Sequence, residues 1–147
     1  MFRLQRFAPV TVLALLAAAC GSSDDAPVGP SQPTATYSQT DLRVGTGADA
    51  VNGRTVTVNY TGWFYDPAQP EQKGRQFETS IGRAPFPFVL GTGRVIAGWD
   101  RGVVGMKVGG QRRLVLPPEL AYGAGGSPPT IPGNASLVFD VEVLAVQ

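Results

Sequence analysis

Nineteen glycines and thirteen prolines interrupt the 147 residues of this chain. Both residue types are poor inside helices and at home in tight turns. A bundle of long helices is therefore out of reach, and short strands joined by turns are the expected building material. With 43% hydrophobic residues the chain has the apolar content of one ordinary globular domain, and its length leaves no room for two full ones. Twelve Lys+Arg stand against eleven Asp+Glu with no dense basic run. Such a chain projects no long-range field to collect polyanions, so nucleic acid is not an expected partner. There is no histidine and a single cysteine, Cys20. His-based triads, imidazole metal sites, paired-cysteine zinc clusters and intrachain disulfides are excluded together, and no metal or cofactor is expected.

The first residues have the layout of a bacterial secretory signal. Arg3 and Arg6 precede an apolar run from Phe7 to Ala19, and small residues follow. That run is shorter than the roughly 20 residues that span a bilayer. Ala17-Ala18-Ala19-Cys20 resembles the lipobox of bacterial lipoproteins, which implies a signal peptide over 1–19, lipidation of Cys20 and a membrane anchor. In a Gram-negative cell, Gly21 after the cysteine favours the outer membrane, with the domain facing the periplasm. Ser, Asp, Pro, Gly and Gln dominate from Gly21 to Thr36, which cannot bury enough apolar surface to offset its ordering entropy, so 20–36 reads as a tether.

From Tyr37 to Gln147 the pattern is that of one α+β domain. Ser136–Val146 and Thr55–Tyr60 alternate apolar and polar residues as half-buried strands should, and Gln111–Leu116 does so less cleanly. Asp41–Val44 and Phe86–Leu90 are shorter strand candidates, and the stretch from Trp63 to Gly74 reads as a long exposed loop. The helical piece is Ala97–Met106, with Ile96, Trp99, Val103 and Met106 on one face. Three glycines inside it lower its intrinsic propensity. An antiparallel sheet of five or six strands crossed by this helix would leave a groove between the two. Tyr60, Phe77, Phe86, Phe88, Trp99, Tyr122 and Phe139 all sit where they could face such a groove, although aromatics in general are core more often than site.

Taken in order, several segments resemble the motifs of FKBP-type peptidyl-prolyl cis-trans isomerases. They are Val58-Asn-Tyr-Thr-Gly62, Gly74-Arg-Gln-Phe-Glu-Thr-Ser80, Pro85-Phe-Pro-Phe-Val-Leu-Gly91, Val95-Ile-Ala-Gly-Trp99, Gly102-Val-Val-Gly-Met-Lys-Val-Gly109, Ala121-Tyr-Gly123, Ile131-Pro-Gly-Asn134 and Leu137-Val-Phe-Asp-Val-Glu142. The resemblance spans 37–147 and implies an antiparallel sheet of five or six strands wrapped around one short helix. It also implies isomerisation of X-Pro bonds in proline-containing polypeptides, macrolide inhibitors of the FKBP type, and a monomer. Carried over position by position, it assigns catalysis to Tyr60, Phe77, Glu78, Trp99, Tyr122 and Phe139. Substrate binding falls to Arg83, Phe86, Val95, Ile96, Ala121 and Ile131. Trp99 would be the floor beneath the proline ring, and the Ile96 N–H and Tyr122 hydroxyl would hold substrate carbonyls.

Two departures bear on this assignment. Glu78 stands where the family usually has Asp, and one more methylene can move the carboxyl by about an ångström relative to the amide and to Arg83, its expected ionic partner. Arg94 stands where an acidic residue is common. Three functions therefore stay open: an isomerase, a binding module that holds proline segments without turning them over, or a purely structural envelope lipoprotein whose aromatics are ordinary core.

Overall fold

The computed structural model describes residues 31–147. The signal segment, Cys20 and most of the tether lie outside the described residues. Six strands form one antiparallel sheet: β1 Ser38–Arg43, β2 Thr55–Tyr65, β3 Lys73–Thr79, β4 Phe86–Val89, β5 Gln111–Leu116 and β6 Leu137–Val146. The order is β1-β5-β6-β2-β3, and β4 also pairs with β2. β4 lies against Thr55–Val58, while β3 begins its pairing at Thr61, so the two divide one edge of β2. One α-helix, α1 Ala97–Gly102, and two short 3-10 turns, Pro70–Gln72 and Pro118–Leu120, complete the regular structure of the described residues.

Alternation sets the two faces. Leu114 and Leu116 of β5, Leu137, Phe139, Val141 and Val143 of β6, and Val56 and Val58 of β2 are buried in one cluster with Trp99 and Val103 of the helix. On the opposite face Val115 and Val138 bury Ala35, whose N–H donates to Ser136 Oγ at 2.9 Å. Packing thus begins two residues before Tyr37.

Three sequence expectations need correction. The helix stops at Gly102 instead of Met106, because Gly105 adopts φ 83 and turns the chain out of the helical path. Trp99, Val103 and Met106 still share a buried face, with Ile96 half-buried at the N-cap. Trp63–Tyr65 extend β2 and Lys73–Gly74 open β3, so the loop expected between them shrinks to 66–72. β1 is exposed along its whole length, and it starts three residues before the expected Asp41 and ends one before Val44.

The glycines that weaken α1 on propensity explain its position. A Cβ at Gly98 would collide with both Leu116 methyls, and one at Gly102 would sit 2.5 Å from Leu114 Cδ2. Only a helix bare at these two successive turns can lie this close to β5. Its C-terminal carbonyls are held from beneath by buried Arg112, which donates Nη1 to the Gly102 and Val104 oxygens at 2.9 and 3.2 Å and Nε to Asp41 at 2.6 Å. One side chain therefore ties β1, β5 and the helix end together.

An ion network crosses the outer face. Asp140 accepts from Arg113 Nε at 2.7 Å and from Lys73 Nζ at 2.7 Å, and Lys73 also lies 4.2 Å from the centre of the Trp63 ring. Burial pushes the Asp140 carboxyl up, but these two cations more than offset it and hold it below the ordinary carboxylate value. A depressed folded-state pKa stabilises above the unfolded value, about 3.9, and that contribution is lost as pH falls through the folded value. Urea-unfolding midpoints should accordingly fall as pH drops below about 4. Asp140→Asn should lower the midpoint at neutral pH and flatten that acid limb; an unchanged acid limb would show that Asp140 is not what acid attacks.

Candidate active site

Between the concave face of the sheet and α1 lies a cavity of about 360 Å³ lined by Tyr60, Glu78, Phe86, Arg94, Val95, Ile96, Trp99, Tyr122 and Phe139. β2 brings Tyr60, β3 Glu78, β4 Phe86, the turn before α1 Arg94 to Ile96, α1 Trp99, and β6 Phe139. Trp99 is the hub of the aromatic set. Its ring centre lies 4.9 Å from Tyr60, 5.4 Å from Phe139 and 6.2 Å from Phe86, all near-perpendicular. Edge-to-face contacts of this kind fix ring orientations and leave the cup with aromatic walls. Phe88, also near the floor, is buried and stacks on Phe86 at 5.9 Å.

The polar groups are few. Ile96 is the N-cap of α1 in an extended conformation (φ −56, ψ 147), and its N–H has no partner among the described residues. The Tyr122 hydroxyl likewise makes no hydrogen bond there, and the residue is 38% exposed. Burial, and next the Glu78 carboxylate, push the Tyr60 phenol up to about 12; the same two causes raise Tyr122. Both phenols are therefore neutral O–H donors at physiological pH. The indole Nε1–H of Trp99 is buried with no partner among the described residues.

Eight of the twelve sequence-assigned site residues meet in this one cavity, and four do not line it. Phe77 stands behind Phe139, edge-on at 5.7 Å, and buttresses that wall. Phe77, Arg83 and Ile131 line a neighbouring polar cavity of about 530 Å³, which shares Glu78 and Tyr122 with the cup. Ala121 packs against the core and lines neither. The expected Glu78–Arg83 ion pair is absent among the described residues, because the two exposed side chains share a cavity wall without closing to contact.

Sequence reasoning missed one residue that shapes the site. Gly62, on β2, would place a Cβ 2.6 Å from Phe77 Cζ and 2.8 Å from Phe139 Cε1. Its lack of a side chain is what lets those rings pack where they do. No pattern of side chains announces a residue that acts by having none.

An aromatic cup with two unbonded donors at its rim, and no Ser, Thr, Cys or Lys among its lining residues, suits a small apolar ring flanked by carbonyls. The comparisons with known proteins narrow that class. The family model for FKBP-type peptidyl-prolyl cis-trans isomerase matches residues 47–144. The FK506-binding protein of Neisseria meningitidis serogroup B is 46% identical over 107 residues, covering 72% of this chain and 92% of its own length. The FK506-binding protein 4 of Rhizopus delemar is 45% identical over 107 residues, 73% of this chain but 26% of that protein. The corresponding Dictyostelium discoideum protein is 48% identical over 105 residues, 71% of this chain and 27% of that protein. The chain thus spans about a quarter of the length of these last two relatives. It belongs to the FKBP-type peptidyl-prolyl cis-trans isomerase family, whose members are enzymes that bind proline-containing substrates and FK506-type ligands.

Proposed function

We propose that this chain accelerates rotation about X-Pro bonds of exported polypeptides at the cell envelope, anchored by a lipid on Cys20. The observation that carries the catalytic part is the cup itself: five aromatic rings around about 360 Å³, with the unbonded Ile96 N–H and Tyr122 hydroxyl at its mouth. Amide resonance sets an X-Pro rotation barrier of roughly 18–20 kcal/mol, and uncatalysed exchange takes tens to hundreds of seconds. The planar amide is the more charge-separated form, so water stabilises it more than the twisted one. Seating the proline ring on Trp99 removes that water and destabilises the ground state relative to the twisted transition state. The Ile96 and Tyr122 donors hold carbonyls beside the turning bond, so one side is fixed while the other rotates. No covalent intermediate is required.

Nuclear magnetic resonance exchange on a short X-Pro peptide is the test, with and without an FK506-type macrolide. Acceleration abolished by the macrolide is expected. Macrolide binding without acceleration would favour the binding-module reading, for which the unpaired Glu78 is the specific observation; in that case Glu78→Asp should restore turnover. For location, Cys20→Ser should shift the chain from the membrane fraction to the soluble one, and its retention there would end the lipoprotein reading.

A further inference from the structure

The cup opens on two sides, and the two exits differ in charge. One is the polar cavity already described, where the Arg83 guanidinium and the Glu78 carboxylate line the same wall. The other is a cavity of about 330 Å³ over β4, lined by Thr55, Phe86, Pro87, Phe88, Val89 and Arg94, with Phe86 and Arg94 shared with the cup. Arg94 is the only charged residue in that lining, and it forms no ion pair among the described residues. Asp100, on the first turn of α1, is engaged elsewhere: its two oxygens accept the Gly91 and Gly93 N–H groups at 2.9 Å each. A polypeptide seated in the cup with one flank along each of these cavities meets two different surroundings. At one it meets a cation and an anion together; at the other it meets a cation alone.

We infer that Arg94 is a specificity-determining residue, favouring proline segments with an acidic side chain on the flank that leaves over β4. This rests on the reading that the cup seats a proline segment. A charge on an exposed rim interacts modestly and is screened by salt. The expected contrast between a Glu-flanked and a Lys-flanked peptide is therefore about fivefold at low ionic strength.

Peptides of the form Xaa-Ala-Leu-Pro-Phe-Xaa provide the test. Glu, Gln or Lys is placed at either end, and Ala-flanked peptide serves as reference. Both kcat/KM and Kd are measured for the full chain, Arg94→Gln and Arg94→Glu. The wild type should prefer Glu over Lys at one end and not at the other. Arg94→Gln should abolish that preference, Arg94→Glu should reverse it, and 0.5 M salt, whose Debye length is only about 4 Å, should compress it. A preference that is absent, equal at both ends, or unmoved by Arg94→Glu overturns the inference. If the reference peptide binds without being turned over, the isomerase reading fails and the Kd ratios alone decide the role of Arg94. If no peptide binds, both fall.

Discussion

Replacing Trp99 by alanine should lower kcat/KM for an X-Pro peptide by about 30- to 150-fold. The estimate follows from the proline ring losing an apolar floor worth about 2–3 kcal/mol of burial, at 1.36 kcal/mol per tenfold. Trp99 is 4% exposed and touches Tyr60, Phe88 and Phe139, so its truncation should also cost about 3–5 kcal/mol of stability. The indole N–H that it buries without a partner places the cost toward the lower end. Circular dichroism and urea unfolding separate the two effects. Should the variant fail to fold, Phe86→Ala supplies the same test from an exposed wall position. A folded variant of either kind with wild-type rate and macrolide affinity would remove the cup from the mechanism.

The second large effect is expected where nothing touches substrate. At Gly62→Ala the added methyl would have to share space with Phe77 Cζ at 2.6 Å and Phe139 Cε1 at 2.8 Å, closer than carbon atoms approach. Both rings must shift, and any shift of Phe139 moves a wall of the cup. Overpacking of this kind costs about 1–3 kcal/mol. A displacement near an ångström at the reacting centre can cost about 100-fold in rate. Enzyme kinetics beside thermal unfolding should show the rate falling further than stability alone would cause. Full activity at reduced stability would mean that the rings give way outward, toward Phe64, which packs on Phe77 at 5.2 Å.

What could be read before the structure was the part written in side chains. β5 falls on the expected Gln111–Leu116 and β6 starts one residue inside the expected segment, because strands buried on one face must alternate. β3 was illegible: in Lys73–Thr79 only Phe77 is a large apolar residue, and an edge strand half out of the core needs no more. The aromatic set was legible through ordered motifs rather than periodicity. The missing Glu78–Arg83 contact depends on how the turn after β3 carries Arg83 relative to Glu78, which spacing along the chain does not encode. The end of α1 depended on a backbone angle at Gly105, and its position on two glycines that earlier counted against it.

The pairing pattern has a consequence for how such a domain comes into being. β2 carries Tyr60 and finds its longest partner in β6, with Val56 opposite Val146 and Gly62 opposite Phe139. β1 waits likewise for β5. A nascent chain emerging from the ribosome can therefore close the β2–β3 and β2–β4 pairs early and the β1–β5 pair once Leu116 has been made, but β2 and β5 meet β6 only after residues beyond Phe139 have been made. High contact order of this sort makes folding slow, on the order of milliseconds to seconds. The cup is completed late: Phe139, which stands at right angles to Trp99, is synthesised near the end, and every shorter chain leaves Trp99 without that wall.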